Sequence, residues 1–278
     1  MEFNDIISRL DIAQIVSGII LSIVIAAVST RFGALSRSGG LGMLIVGTIV
    51  FGLGGIVFAI PLIFFFVSSS LLSKISSPAK RVAMLLFDKT GPRDIWQVIA
   101  NGGVGTICVI IYFISGEFFW YLPYCASLCA AAADTWATER GTMSSKIPIS
   151  IVTLKKTESG RSGAVTLMGM ISAAAGSALV MASGYLAFKA VGGYDTIPLM
   201  MWIAVFNAGF AGSILDSILG GSVQAMFRCP LCNRITERRE HCGDTTMPIS
   251  GFLFVNNDVV NFVSVLFAAG ATALIILI

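Results

Sequence analysis

The sequence predicts an all-α integral membrane protein, a polytopic helical bundle with about eight transmembrane helices. Hydrophobic residues make up 56% of the chain and charged residues 12%, and the mean hydropathy is +0.88. Soluble domains usually carry about 25% charged residues, so a soluble fold of this size is excluded. Uncharged runs recur along the whole chain, and the charges lie between them. We therefore treat residues 1–278 as a single polytopic membrane domain.

The transmembrane spans follow from the uncharged runs, since about 20 apolar residues cross a bilayer. As one helix, the run 38–73 would reach roughly 54 Å, although the hydrocarbon core is only about 30 Å thick. It contains residues that favour a turn, so it is predicted to form two spans and to bring the total to eight; these residues are Gly52, Gly54, Gly55 and Pro61. The runs are 12–30, 38–73, 95–116, 118–133, 162–188, 196–215 and 259–278.

Basic residues are distributed very unequally between the two sides of this eight-span arrangement. One side, which carries the loops 74–94, 140–162 and 228–248, holds 16 of the 18 lysines and arginines, leaving Arg9 and Lys189 opposite. The positive-inside rule then places the three loops in the cytoplasm and both termini outside. The N-terminus lacks the basic region and cleavage site of a signal peptide, so the first span is predicted to remain as an anchor.

Three aspartates lie inside or at the ends of the apolar runs, namely Asp134, Asp216 and Asp258. An ionised carboxylate at membrane depth costs several kcal/mol unless it is compensated, which makes each of them a candidate functional residue. Carboxylates at a membrane boundary can bind Mg²⁺ together with nucleotide phosphates. Thr138 lies one turn after Asp134, and Glu139 follows it as a further metal ligand or base. The alternative is that such acids only cap helices.

Cations and small residues that suit phosphate binding follow the first acidic motif. A helix N-terminus with flexible backbone N–H groups binds phosphate well, and the stretch Ser-Gly-Arg-Ser-Gly at 159–163 provides both. The alternative is a basic loop that only sets topology. The candidate phosphate-binding cations are Lys155, Lys156 and Arg161, with Lys74, Lys80 and Arg93 in reserve.

Amide and hydroxyl side chains accompany the acids at helical spacing. Asn257 and Asn261 are one turn apart beside Asp258, and Ser217 follows Asp216. Such oxygen ligands suit Mg²⁺ or phosphate and sugar hydroxyls, and Asn101 belongs to a weaker copy of this arrangement. Helix capping and hydrogen bonds between helices are the alternatives.

The last basic loop contains the pattern Cys229-Pro-Leu-Cys232 followed by His241-Cys242. These side chains supply the four nitrogen or sulfur ligands that tetrahedral Zn²⁺ requires, although adjacent ligands at 241 and 242 are awkward. A structural zinc site is therefore predicted, with a reduced loop or redox chemistry as alternatives. A cytoplasmic loop argues against a structural disulfide.

Several ordered motifs resemble those of the transmembrane-protein-19 family, also called domain of unknown function 92. They are Gly91-Pro-Arg93-Asp94-x-x-Gln97-Val-x-Ala-Asn101, Ala-Asp134-Thr-Trp-Ala-Thr-Glu139-x-Gly141, Thr-Leu-Lys155-Lys156, Gly212-Ser-x-x-Asp216-Ser-x-x-Gly220 and Asn257-Asp258-x-Val-Asn261. This family includes the plant phytyl-phosphate kinase, and its first acidic motif is similar to that of phytol and dolichol kinases, which prefer CTP. The chain has Glu158-Ser-Gly160-Arg161-Ser-Gly163 where the family has Pro-x-Gly-Thr-x-Gly, which adds a cation.

The resemblance implies a membrane kinase that transfers a phosphoryl group from a nucleoside triphosphate, CTP, to a phytyl- or geranylgeranyl-type monophosphate with Mg²⁺. The expected partners are the nucleotide, the isoprenyl phosphate and membrane lipids, with no nucleic acid. Two rivals stay open. An ion-coupled secondary transporter also has intramembrane acids and glycine-broken helices. A cytidylyltransferase that forms a CDP-lipid would use the same ingredients.

Overall fold

In the computed structural model, residues 9–191 and 197–277 are described, and they form a helical bundle. Six of its helices are long and apolar enough to cross a membrane, which confirms the all-α membrane fold: α1, α2, α4, α6, α7 and α8. The helices are α1 Ile12–Arg31, α2 Arg37–Lys74, α3 Pro78–Met84, α4 Ile95–Ser115, α5 Tyr121–Gly141, α6 Leu167–Val191, α7 Leu199–Ser222 and α8 Asn257–Leu277.

Helix α2 consists of two helices joined by a reversal of direction at Gly55. This residue has φ 68° and ψ −165°, a backbone conformation that glycine adopts at little cost. The backbone carbonyl of Arg93 accepts a bond from the Ser36 N–H at 3.0 Å, while its guanidinium donates to Ser70 Oγ at 3.4 Å. In one straight helix those two serines would be roughly 50 Å apart. The predicted division of this run into two spans is therefore confirmed.

Helix α5 occupies the centre of the bundle. Its first part, Tyr121–Ala133, is buried throughout, and the helix contacts α2, α4, α6, α7 and α8. Because other helices enclose it, α5 does not need the uniformly apolar surface of a lipid-facing helix, and its last turns are polar. With α5 and the two halves of α2 counted separately, the described part of the chain has eight long helical segments, in agreement with about eight predicted spans.

One end of the bundle, here called the loop end, carries the three long loops. At this end Lys74 Nζ lies 5.5 Å from the centre of the Phe32 ring, so α1 and α2 finish there together. Arg9 lies at the opposite end, where it donates to the carbonyls of Phe113 and Ile114 at 3.2 and 3.0 Å. The basic loops and Arg9 are thus separated as the eight-span arrangement requires. The cytoplasmic placement of the loop end stays a prediction.

Short β-strands order the loops at the loop end. Strand β1, Ile149–Ser150, pairs with β2, Ala164–Val165. The remaining strands form the β module, residues 226–250, in which the first sheet has the order β4-β3-β7 and β5 pairs with β6. The strands of this module are β3 Met226–Arg228, β4 Ile235–Thr236, β5 Glu240–His241, β6 Asp244–Thr245 and β7 Met247–Ser250.

Candidate functional site

A cavity of about 390 Å³ lies at the loop end, among the ends of α2, α5 and α7 and the beginning of α8. Lys155 and Lys156 do not line it and are exposed in the segment between β1 and β2. Most of the other residues predicted from the sequence do line it: Lys74, Lys80, Arg93, Asn101, Asp134, Thr138, Glu139, Arg161, Asp216, Ser217, Asn257, Asp258 and Asn261.

The two central aspartates meet because α5 and α7 pack closely and both run toward the loop end. A Cβ atom at Gly212 would lie 2.8 Å from Ala130 Cβ, so glycine is what permits this approach. Asp134 follows Ala130 by four residues. Asp216 follows Gly212 by the same interval, so both side chains are carried one turn further along parallel helices. Their carboxyl groups are near enough to share a hydrogen bond when one of them is protonated, and Ser264 Oγ donates to Asp216 Oδ2 at 3.1 Å.

This aspartate pair needs a positive partner. Asp216 is 8% exposed, and among the described residues no lysine or arginine forms an ion pair with it or with Asp134. Two carboxylates in contact repel each other unless a proton or a cation lies between them. Mg²⁺ takes carboxylate and phosphate oxygens as ligands, so these two residues fit the predicted ion.

Glu139 is held by a cation of the protein itself. Lys80 Nζ lies 2.5 Å from Glu139 Oε2, and Ser73 Oγ donates to Glu139 Oε1 at 2.6 Å. Lys80 is almost completely buried and also donates to two backbone carbonyls, those of Ser73 and Ile75. The geometry therefore makes Glu139 and Lys80 a buried ion pair at the cavity wall rather than two free groups.

Asp258 is likewise paired, through Lys89. The Lys89 ammonium lies 2.5 Å from Asp258 Oδ2 and 2.7 Å from Asp94 Oδ2, and so joins the beginnings of α8 and α4. Burial works against the charge of Lys89, but the bonds to the two carboxylates outweigh it and raise the pKa of this lysine. Asp258 Oδ1 and Asn261 Oδ1 are buried without a hydrogen-bond partner, so two oxygens remain for a ligand.

Two arginines bring positive charge to the cavity without forming an ion pair among the described residues. Arg93 is held at the wall by the bond to Ser70, and burial lowers the pKa of its guanidinium while nearby Glu139 opposes that shift. Arg161 is exposed and lies between Gly160 and Gly163. Both glycines have positive φ, 87° and 76°, and pack against the backbone of α3 and α7, so this loop is held between these two helices.

Glu237 is a cavity residue that sequence reasoning missed. It lies after β4, and its carboxylate accepts bonds from Ser162 Oγ at 2.5 Å and from the Asp88 N–H at 3.2 Å. Burial raises the pKa of this carboxyl, and the aspartate pair is close enough to interact with it electrostatically. Its backbone N–H also donates to the Leu86 carbonyl at 3.0 Å, which docks the β module onto the loop after α3.

The predicted zinc ligands form a compact cluster in the β module, apart from the cavity lining. One ligand atom from each of Cys229, Cys232, His241 and Cys242 lies within 4.8 Å of the other three. The backbone N–H of Cys232 is the main cause that lowers the pKa of the Cys229 thiol, to about 6.

Comparison with known proteins places the whole chain among membrane proteins. The family model for "Integral membrane protein DUF92" matches residues 20–269. The chain is 29% identical to "Protein PGR" of Arabidopsis thaliana, over 94% of this chain and 96% of the relative. It is also 29% identical to the "Uncharacterized membrane protein MJ0933" of Methanocaldococcus jannaschii, over 73% of this chain and 80% of the relative. No solved structure matches.

Proposed function

Since the chain belongs to the DUF92 family of integral membrane proteins, we propose that its cavity transfers a phosphoryl group from a nucleoside triphosphate to an isoprenoid monophosphate. The products are the isoprenoid diphosphate and a nucleoside diphosphate, and CTP is the proposed donor. The observation that carries this proposal is the contact between Asp134 and Asp216 in the same cavity as Arg93 and Arg161. Such a cavity can hold a metal ion on one side and phosphates on the other.

Transfer between two phosphates requires mainly positioning and neutralisation of charge. Magnesium, when bound, would offset the charge of the donor phosphates. Asp134 and Asp216 would hold this ion, and Asp258 Oδ1 and Asn261 Oδ1 are buried oxygens without a partner that could accept from a hydroxyl group of the nucleotide. Arg93 would bind phosphate from the cavity wall.

Arg161 is the second phosphate-binding residue of the proposal. Its loop is anchored by Gly160 and Gly163, and Arg161 lines the cavity between these two anchors. A guanidinium binds phosphate through paired N–H donors, which also orients it. Exposure of Arg161 is consistent with closure onto a nucleotide that enters from the loop end.

The acceptor needs no general base. A phosphate monoester has its second pKa near 6, so most of it is already dianionic at neutral pH. The obstacle is the repulsion between two anionic substrates, which cations remove. Glu139 and Asp258, tied to Lys80 and Lys89, then act as positioning residues that shape the wall.

The position of the cavity favours an enzyme over a carrier. A secondary transporter binds its substrate near the middle of the membrane between two repeated halves. Here the cavity lies where the helices end and the loops begin, so a lipid phosphate can enter from the membrane surface while its isoprenoid tail stays in the bilayer. The apolar tail requires no polar partner there.

The experiment that tests this function uses purified protein with phytyl or geranylgeranyl phosphate, Mg²⁺ and each of the four nucleoside triphosphates in turn. We expect an isoprenoid diphosphate and release of a nucleoside diphosphate, and the greatest rate with CTP. Release of inorganic diphosphate with a CDP-lipid product would instead identify a cytidylyltransferase. Substrate-dependent ion flux in proteoliposomes without any transfer product would identify a carrier.

A further inference from the structure

We propose that Cys229, Cys232, His241 and Cys242 bind one structural zinc ion that holds the β module in the shape which delivers Glu237 to the cavity. The metal site stands independently of the proposed kinase activity. The role given to Glu237 rests on that activity, and the tests below separate the two.

The four ligand atoms have the spacing of a tetrahedral zinc site. His241 Nδ1 lies 3.1 Å from Cys242 Sγ and 3.5 Å from Cys232 Sγ, and all four ligand atoms fall within 4.8 Å of one another. With Zn–S near 2.3 Å and Zn–N near 2.0 Å, tetrahedral geometry separates sulfur and nitrogen ligands by about 3.6 Å. The two sulfur–nitrogen distances lie within about 0.5 Å of this value and the widest separation is at most 4.8 Å, so an ion can be accommodated with shifts of about 1 Å or less.

The backbone explains how the adjacent residues His241 and Cys242 can serve the same ion. In an extended strand, successive side chains point to opposite faces. Cys242 has φ 58°, a left-handed conformation uncommon for a residue other than glycine, and Gly243 follows with φ 83°. The strand alternation is therefore broken where β5 turns into β6, and both side chains reach the cluster. The other ligand pair is set by a turn in which the Asn233 N–H donates to the Cys229 carbonyl at 2.9 Å.

The β module has too little apolar core to explain its order. Its strands are two to four residues long, and only Met226 and Phe227 of its large apolar side chains are buried, whereas Leu231 and Met247 are 66% and 63% exposed. Small folds of this kind are usually stabilised by a metal or disulfides, and zinc binding contributes directly to their folding. The cluster lies where the Cys229–Cys232 turn meets the β5–β6 hairpin, so one ion would tie the two together.

The chain between two of these ligands, 233–240, contains Glu237. Its carboxylate holds Ser162, the neighbour of Arg161, and its backbone is bonded to the loop after α3. Loss of the ion would release both ends of this segment, because Cys232 and His241 flank it. Zinc would thus position an acid at the cavity without itself taking part in the transfer.

The direct test is metal analysis of protein purified with a thiol reductant and without chelators or added metal. We expect about one zinc ion per chain, as four such ligands require. Cys232→Ser and Cys242→Ser should each lower the zinc content severely, and both positions are exposed, so the helical bundle should still insert and purify. Cys108→Ala, at a buried cysteine of α4, is the control and should keep its zinc.

Hydrogen exchange supplies the second measurement. Chelation should increase exchange in residues 226–250 and in the loop around Ser162, and leave α4 and α5 unchanged. Glu237→Gln should keep its zinc and lose transfer activity. Zinc-free wild-type protein, or full zinc content in both cysteine variants, would overturn the metal site whether or not the kinase is active. Unchanged exchange around Ser162 on removal of the ion would overturn its link to Glu237.

Discussion

Removal of one partner of the ion pair between Lys80 and Glu139 should destabilise the protein strongly. The Lys80 side chain is 4% exposed and the Glu139 side chain is 17% exposed. Glu139→Gln therefore leaves the Lys80 ammonium group buried without its counter-ion. Removal of one partner from a buried pair costs about 3–5 kcal/mol. The double variant Lys80→Met, Glu139→Leu should recover most of this loss, because two apolar side chains leave no unpaired charge.

The Lys89–Asp94 pair is the matched control, since its side chains are 32% and 31% exposed. Asp94→Asn should cost less than about 1 kcal/mol, because the pair is partly exposed, Lys89 keeps Asp258 as a partner, and asparagine can still cap α4. Reversible unfolding in detergent or lipid, followed for the wild type and these variants, gives the free energies of unfolding. Equal losses for Glu139→Gln and Asp94→Asn would refute the assignment of Glu139 as a buried structural acid.

Three further changes test the cavity. Gly212→Ala should destabilise the protein by about 1–3 kcal/mol, measured by unfolding, because the new methyl group meets Ala130; full stability would show that α5 and α7 need no close approach. Arg161→Ala should raise the nucleotide KM by one to two orders of magnitude, because a hydrogen bond to a charged group contributes about 1.5–3 kcal/mol. Lys155→Ala should have little effect on this KM. Equal effects of the two substitutions would show that Arg161 is not the specific phosphate-binding residue. Burial raises the pKa of the Glu237 carboxyl above its ordinary value of 4.5, so the folded protein keeps a proton that the unfolded chain has lost, and the free energy of unfolding falls as pH rises between the two pKa values. Glu237→Gln should reduce this dependence in unfolding experiments from pH 4 to 8. An unchanged dependence would contradict the raised pKa.

The spans and their division were predictable because they depend on local properties of the chain. Hydropathy and charge identify segments that must lie in lipid, and the length of the run 38–73 exceeds what a bilayer can hold. The glycines of this run predicted where the chain reverses, and the structure has the reversal at one of them, Gly55. The strands of the β module were not predicted, since two- to four-residue strands carry too weak a pattern.

The site was predictable as a set of residues but not as a set of partnerships. Asp134 and Asp216 stand out because a carboxylate in an apolar run needs a reason. Their contact depends on the register of α5 against α7, for which the small residues Ala130 and Gly212, each one turn earlier, were the available signal. No sequence feature marks Glu237, because acidic residues are common in polar loops. Its role becomes visible only in the structure, where the loop folds back onto the cavity.

Several lysines were predicted from the sequence as phosphate-binding residues, but the structure does not leave them free for that role at the cavity. Lys155 and Lys156 were candidates because they are basic and follow the first acidic motif, yet both are exposed and do not line the cavity. Lys80 and Lys89 lie at the cavity but are already paired with carboxylates. Tertiary contacts decide which cations remain free to bind phosphate. The positions of the residues in the sequence do not show these contacts.

The measurement that most directly tests the central claim is phosphoryl transfer by Asp134→Asn, Asp216→Asn and the double variant. If both aspartates hold one metal ion, each single variant should lose at least about a hundredfold in rate, equivalent to about 2.7 kcal/mol, and the double variant should be no worse than either. Asp11→Asn, an exposed helix cap at the opposite end, should keep full activity. Near-normal transfer by Asp134→Asn in protein that inserts and unfolds like the wild type would contradict the account.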